Sequence, residues 1–306
     1  MTLKLSVIIC THNPRQDYLH RVVDALRGQT LPADQWEMLV VDNASNPPIS
    51  DWMDLAWHPK SFFVREDKIG LTPARLRGIR ETQAELIIFV DDDNVLDTDY
   101  LEKSVEISQE RPDLGAWGGR ISPEFESSPP EWARAYPWCL GLREFERDQW
   151  ACLPTESGAT PYGAGLVVRR SIAETYAEKT CHGSLGYSLD RNGKSLTSCG
   201  DLDLALTSWD CRMGTGTFVR LHLTHLIPSS RLENGYLERW QEGNAYSTLI
   251  FEYIHGQSIR PERTYERIFR TLRGLLWKRR FERIAYYAQQ RGLRRARRYL
   301  IQLHRE

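Results

Sequence analysis

Long apolar runs are missing from this chain. No stretch of 18 consecutive apolar side chains occurs in its 306 residues, so no transmembrane helix is expected. CxxC spacing is missing too. The six cysteines (Cys10, Cys139, Cys152, Cys181, Cys199 and Cys211) are scattered, which argues against a zinc site and a disulfide framework and fits a reducing cytoplasm. The first residues lack the small-residue cleavage site of a signal peptide and enter a strand pattern directly, Leu3 to Ile9. No internal repeat or low-complexity segment is visible. Net charge is also nearly absent, at −1, but it hides an asymmetry. Residues 260–306 hold 15 Lys and Arg against 4 Asp and Glu, a surplus of 11 that leaves the rest at −12. A basic tail on an acidic body suggests an anionic partner, or simply a solvated helical face. No nucleic-acid-binding motif accompanies the charge, so a nucleic-acid partner is not expected.

What is present is globular: 41% hydrophobic and 26% charged residues, enough chain for one large or two ordinary domains. Strand patterns are expected at residues 3–10, 37–41, 61–64 and 86–90. Helical spacing occurs at 15–28 (Leu19, Val22, Val23, Leu26) and from about Thr72 to Glu81, where Pro73 suits a first turn. This alternation implies a mostly parallel, doubly wound α/β sheet over residues 1–115. Residues 121–162 are rich in Pro and aromatics and read as an irregular insert. A strand resumes at 165–168. A Gly- and Ser-rich stretch follows at 181–200. Asp201 to Met213 has helical spacing, 219–227 reads as a strand, and the chain is helical from Leu237 onward with Pro261 as a break.

The most informative feature is Asp91-Asp92-Asp93 directly after the apolar run Leu86-Ile87-Ile88-Phe89-Val90. Open α/β sheets bind ligands at the carboxyl ends of their strands. Adjacent carboxylates repel one another unless a cation neutralises them, and Mg²⁺ favours one or two carboxylates plus substrate phosphates. A metal–diphosphate site and a plain acidic turn are the two readings. Asp42 ends the second strand, where an acid can accept hydrogen bonds from a base or ribose, or can form a turn with Ser45. Gly70 to Gly78 opens a helix whose N-terminus suits phosphate. Arg75 and Arg77 add charge there but cannot share one helix face. Asp201 begins a helix, as N-cap or as base.

Six ordered motifs resemble family 2 glycosyltransferases with the GT-A fold. They are Ser6 to Asn13, Val40 to Ser45, Gly70 to Arg75, Phe89 to Asn94, Gly163 to Arg170 and Gly200 to Leu204. The resemblance implies a GT-A domain over 1–235, with a nucleotide-binding half (1–115) and an acceptor-binding half (116–235), followed by a basic helical extension over 236–306. It implies that Thr11, Asn13 and Asp42 hold the nucleotide, most often uridine. Asp67 would fall in the loop over the base, and Arg75 would approach the diphosphate. Asp91, Asp92 and Asp93 match the DxD acids, with Asp93 the foremost Mn²⁺ or Mg²⁺ ligand and Asp91 beside it. His225, on the side of a strand shared with Leu221 and Leu223, would complete the metal or diphosphate shell, with Arg231 near phosphate.

Asp201 would be the general base of an inverting transfer. The residue before it is Gly200, where the family usually has Glu. Trp132, Trp138 and Gly165 would face the acceptor, the tryptophans alternatively forming a local core. Tyr236 to Trp240 only faintly echoes the motif of processive members, favouring single-sugar transfer. Two other classes stay open: a nucleotidyltransferase, which would release pyrophosphate, and a non-catalytic nucleotide-sugar binder. The tail (Arg263, Arg267, Arg270, Arg273 among Leu272, Leu275, Leu276 and Trp277) suits peripheral binding to an anionic membrane and a lipid-linked or glycan acceptor.

Overall fold

A computed structural model describes residues 3–152, 157–182, 189–191, 196–257 and 279–303. The chain divides into two compact units. The first comprises residues 1–124, 141–184 and 201–227; the second comprises 125–140, 185–200 and 228–306. The arginines at 263, 267, 270 and 273 lie outside the described residues, as do 183–188 and 192–195 of the Gly- and Ser-rich stretch.

The first unit is built on one sheet of nine strands among the described residues. Strands β1 (Leu5–Thr11), β2 (Trp36–Asp42), β3 (Ser61–Arg65) and β4 (Leu86–Val90) lie in the order β3-β2-β1-β4, all parallel. Nearly every residue of β1, β2 and β4 is buried. That is why their sequences are continuous β-branched and aliphatic runs rather than alternating ones. Each fully buried Leu, Ile or Val there contributes roughly 1.5–3 kcal/mol. Helix α1 (Gln16–Arg27) joins β1 to β2, burying Leu19, Val22, Val23 and Leu26, and α2 (Leu71–Glu81) joins β3 to β4.

The chain leaves β1 toward β2 and returns on the other side as β4. The carboxyl ends of β1 and β4 thus flank the point where the strand order reverses, where such sheets leave a crevice for ligands.

Beyond β4 the added strands run antiparallel. Strand β5 (Asn94–Leu96) is followed by helix α3 (Tyr100–Glu110) and β6 (Leu114–Phe125). After helix α4 (Glu131–Ala135) come β7 (Gln149–Ala151), β8 (Leu166–Arg169), helices α5 (Arg170–His182) and α6 (Gly200–Asp210), and β9 (Gly214–Ile227). β8 pairs with β4, β6 with β8, and both β5 and β7 with β9.

In the second unit, α7 (Asn234–Ile254) packs along α8 (Arg280–Leu303). Leu189, Cys199, Tyr246, Leu249, Ile250, Ala296 and Leu300 form its core. Among the described residues no helix is long and apolar enough to cross a membrane.

Candidate active site

The parallel register puts the three acids beside the end of β1. The Thr11 hydroxyl donates a hydrogen bond to an Asp92 carboxylate oxygen. The chain then turns, with the Asn94 N–H donating to the Asp91 carbonyl at 3.1 Å, and enters β5. Because β5 pairs antiparallel with β9, Asn94 stands opposite His225, and the Leu226 N–H donates to the Asp93 carbonyl at 2.8 Å. This register delivers His225 to Asp93. Its Nε2 lies 3.4 Å from Asp93 Oδ2, and the two residues are 7% and 6% exposed. Asp91 and Asp92 are half-buried.

A buried carboxylate and imidazole this close fit a divalent cation that takes few protein ligands and completes its shell with substrate phosphates. Among the described residues no group of three or more His, Cys, Asp or Glu side chains is gathered for a metal.

At the end of β2 the Asp42 carboxylate holds its own turn, Oδ1 accepting the Ser45 N–H at 2.8 Å and Oδ2 the Ile49 N–H at 3.1 Å. The turn reading is therefore realised, and Oδ1 keeps a further lone pair. Asn13, in the left-handed region at φ 49°, accepts the Asn46 N–H through Oδ1 at 2.9 Å and donates its own N–H to the Ser45 hydroxyl at 2.9 Å.

Two organisers were not singled out from the sequence. Asn43 donates through Nδ2 to the Glu66 and Lys68 carbonyls (2.8 and 2.9 Å) and accepts the Gly70 N–H at 2.8 Å. It thereby ties the loop before α2 to the end of β2. Arg65 reaches Asp67 at 2.8 Å and Asp42 at 3.5 Å. The Asp67 side chain is otherwise 84% exposed. Sequence pattern could have flagged Asn43 only through its place in the Asp-Asn-Ala-Ser turn.

Arg75 and Arg77 separate as their spacing requires. Arg77 pairs with Glu81 one turn on, at 2.8 Å. Arg75 is 3% exposed, with its guanidinium 5.7 Å from the centre of the Phe89 ring. It converges with Asp201 on Gly163. A Cβ built at Gly163 would stand 2.9 Å from Asp201 Cβ and Oδ2 and 3.1 Å from Arg75 Nη2. The Gly163 N–H donates to Asp201 Oδ2 at 2.8 Å, and the Leu202 N–H donates to Oδ1 at 2.8 Å. Asp201 thus satisfies a free donor of the first turn of α6, as a cap would, while its other oxygen is fixed by β8's entry loop.

Gly165 has φ 68°, and a Cβ there would lie 2.5 Å from the Tyr100 hydroxyl and 2.7 Å from Leu223 Cδ2. Its carbonyl accepts the Tyr100 O–H at 2.8 Å. Burial pushes that phenol's pKa upward, so it stays a donor. Gly165 is therefore tightly packed against Tyr100 and Leu223.

Gly200, in the second unit, has its own reason. A Cβ there would meet the Asp190 carboxyl carbon at 2.3 Å and its oxygens at 2.2 and 2.6 Å. Asp190 is 5% exposed, and its carboxylate fills the space a glutamate at 200 would need.

Trp132 and Trp138 also belong to the second unit. Trp132 is 2% exposed, its ring enclosed by packing. Trp138 is 47% exposed and tilts against Tyr136 at 5.2 Å.

A doubly wound parallel half with acids at its switch point and an antiparallel half beyond it is the GT-A class of fold. The family model for glycosyl transferase family 2 matches residues 6–176, and the chain belongs to that family. It is similar to the glucosyl-dolichyl phosphate glucuronosyltransferase of Haloferax volcanii, 23% identical over 46% of this chain and 46% of that protein. It is also similar to the glycosyltransferase AglE of the same organism, 28% identical over 33% of this chain and 34% of that one. The chain thus spans between a third and a half of the length of these curated relatives. Among solved structures, TarS residues 1–349 of S. aureus, in complex with UDP-GlcNAc, matches with a TM-score of 0.52 at 12% identity, covering 96% of this chain and 90% of that one.

Proposed function

We propose that this chain transfers a single sugar from a uridine-diphosphate sugar to a hydroxyl acceptor with inversion, aided by Mn²⁺ or Mg²⁺. The observation that carries the reading is the buried Asp93–His225 pair at 3.4 Å beyond β4, in the same unit as the Asp201 carboxylate and the Arg75 guanidinium, which converge on Gly163. The UDP-GlcNAc held by the similar TarS structure supports the choice of donor.

Asp93 and His225 would hold the cation, which neutralises charge on the leaving diphosphate when bound. Arg75, buried and fixed, would offer its guanidinium to diphosphate oxygens. Asp42 and Asn13, with their turns already locked, would meet the base and ribose, and Thr11 keeps Asp92 in place. Asp201 would take the proton from the acceptor hydroxyl as that oxygen attacks the anomeric carbon. Its two backbone donors hold its orientation.

The glucuronosyltransferase relative is named for a glucosyl-dolichyl phosphate, which supports a lipid-linked or glycan acceptor here. The basic helical extension would then favour peripheral attachment to an anionic membrane from the cytoplasmic side.

Calorimetric titration with UDP, with and without Mn²⁺, tests the donor half. Binding that needs the metal and is lost in Asp93→Ala is expected. Asp201→Asn should keep that binding and lose transfer. Release of pyrophosphate instead of UDP would point to a nucleotidyltransferase. Donor binding with neither transfer nor slow donor hydrolysis would leave a nucleotide-sugar binder.

A further inference from the structure

The last helix presents arginines in a pattern that the active site does not use. Arg291, Arg294, Arg295 and Arg298 recur at three- and four-residue spacing along α8, so they share one face. That face borders a cleft of about 570 Å³, within the range of small-ligand sites. Its lining includes Arg291, Arg294, Arg295, Arg298, Tyr246 and Tyr299.

Its frame is stiff. Gly292 lets α8 approach α7 so closely that a Cβ there would fall 2.1 Å from the Glu242 carbonyl, and Tyr246 belongs to the unit's core. Burial also raises the pKa of the Tyr246 phenol, which keeps it a hydrogen-bond donor.

The charges of the cleft are unevenly met. Arg291 is matched by Glu238 at 2.5 Å and Glu242 at 2.9 Å. The Arg295 guanidinium rests 4.5 Å from the centre of the Tyr246 ring. The Arg294 Nε is buried without a hydrogen-bond partner. Neither Arg294 nor Arg298 meets a carboxylate among the described residues. Burying a guanidinium N–H unpaired is costly, and planar guanidinium groups match phosphate oxygens two at a time.

We propose that this cleft binds a phosphate-bearing anion, of the diphosphate or phosphodiester class, either free or as a lipid headgroup. The proposal goes beyond the sugar-transfer reading and does not depend on it.

The test uses the full chain and two probes. Inorganic pyrophosphate is titrated calorimetrically with a metal chelator present, which silences a metal-dependent donor site. Vesicles of phosphatidylcholine, with and without phosphatidylglycerol, are used for flotation. Arg295→Gln/Arg298→Gln changes only exposed side chains, and Arg294→Lys keeps charge while removing the fork.

Saturable pyrophosphate binding, weakened about tenfold per lost guanidinium, would establish a free-phosphate site. Recovery on phosphatidylglycerol vesicles alone, lost in the double variant, would establish a headgroup site. No binding of either probe, or equal binding by parent and double variant, would overturn the proposal. Mn²⁺-dependent UDP binding measured on the same variants should not change; that separates this outcome from a failure of the donor site.

Discussion

Gly163→Ala is the substitution that most directly tests the assembly around Asp201. The added methyl would start 2.9 Å from Asp201 Cβ and Oδ2 and 3.1 Å from Arg75 Nη2. Ordinary carbon contacts begin near 3.5 Å, so Asp201, Arg75 or both must retreat by about half an ångström or more. The Gly163 N–H bond to Asp201 at 2.8 Å would lengthen with them. Losing one such bond costs about 1 kcal/mol. Replacing glycine by alanine returns about 0.4–1 kcal/mol by restricting the unfolded chain, provided the backbone accepts a side chain, and Gly163 is not among the positive-φ glycines. Net stability should therefore change by less than about 1 kcal/mol, or only a few degrees in Tm. Turnover responds differently, since a misplacement of about 1 Å at reacting groups can cost about a hundredfold. The assay is UDP release from the UDP-sugar picked out by a donor screen, run beside a thermal melt. A kcat reduced on the order of 10–100-fold with a near-parental Tm is expected. A kcat within about twofold of the parent, at unchanged Tm, would refute the view that Arg75, Gly163 and Asp201 form the reacting arrangement.

Three further outcomes follow from the same geometry. Gly165→Ala should destabilise by at least about 2 kcal/mol, from a strained φ and a clash with Tyr100, whereas Tyr100→Phe should cost about 1 kcal/mol; urea midpoints read both. Gly200→Glu should unfold or strongly weaken the protein, and Asp190→Gly/Gly200→Glu should recover most of the Tm, because Asp190 occupies the space the new side chain needs. Burial, with Lys60 adding repulsion, lowers the His58 pKa below its ordinary 6.5. The folded state therefore keeps His58 neutral where the unfolded state takes up a proton. This contribution is complete above pH 6.5 and is lost as pH falls through the folded value. His58→Phe should flatten the fall in urea midpoint between about pH 7 and about pH 5; an unchanged slope would refute it.

The parallel half was legible because β1, β2 and β4 are buried on both faces. Such strands must be continuous apolar runs, and the expected spans at 37–41 and 86–90 lie within a residue of Trp36–Asp42 and Leu86–Val90, as 61–64 does for the half-buried edge strand Ser61–Arg65. Helix α2 begins one residue before its expected start. The antiparallel half was less legible. Strand β6 carries Gly115, Gly118, Gly119 and Pro123, residues that read as loop. Yet a Cβ at Gly115 would meet Ser208 at 2.6 Å, and one at Gly119 the Leu221 carbonyl at 2.1 Å. These glycines mark close approach of neighbouring elements, not a break, and a single sequence cannot separate the two. The same limit hid β9's first five residues, where Gly214 and Gly216 precede the apolar alternation.

The site divides along the same line. Residues fixed by a strand end lie where their sequence positions place them: Thr11, Asp42, Asp93 and, through the β5–β9 register, His225. Residues whose setting depends on a neighbour distant in sequence carry no such signal. Arg65 carries no motif but links Asp42 to Asp67. Trp132 shares a Pro- and aromatic-rich segment with Trp138 and differs from it only in burial, 2% against 47% exposed. Gly200 read as the loss of an acid. In three dimensions a carboxylate stands against that position, contributed by Asp190 from ten residues upstream. A departure from a family pattern at one position therefore reports a missing side chain, not a missing chemical group, until the space that side chain would fill has been inspected.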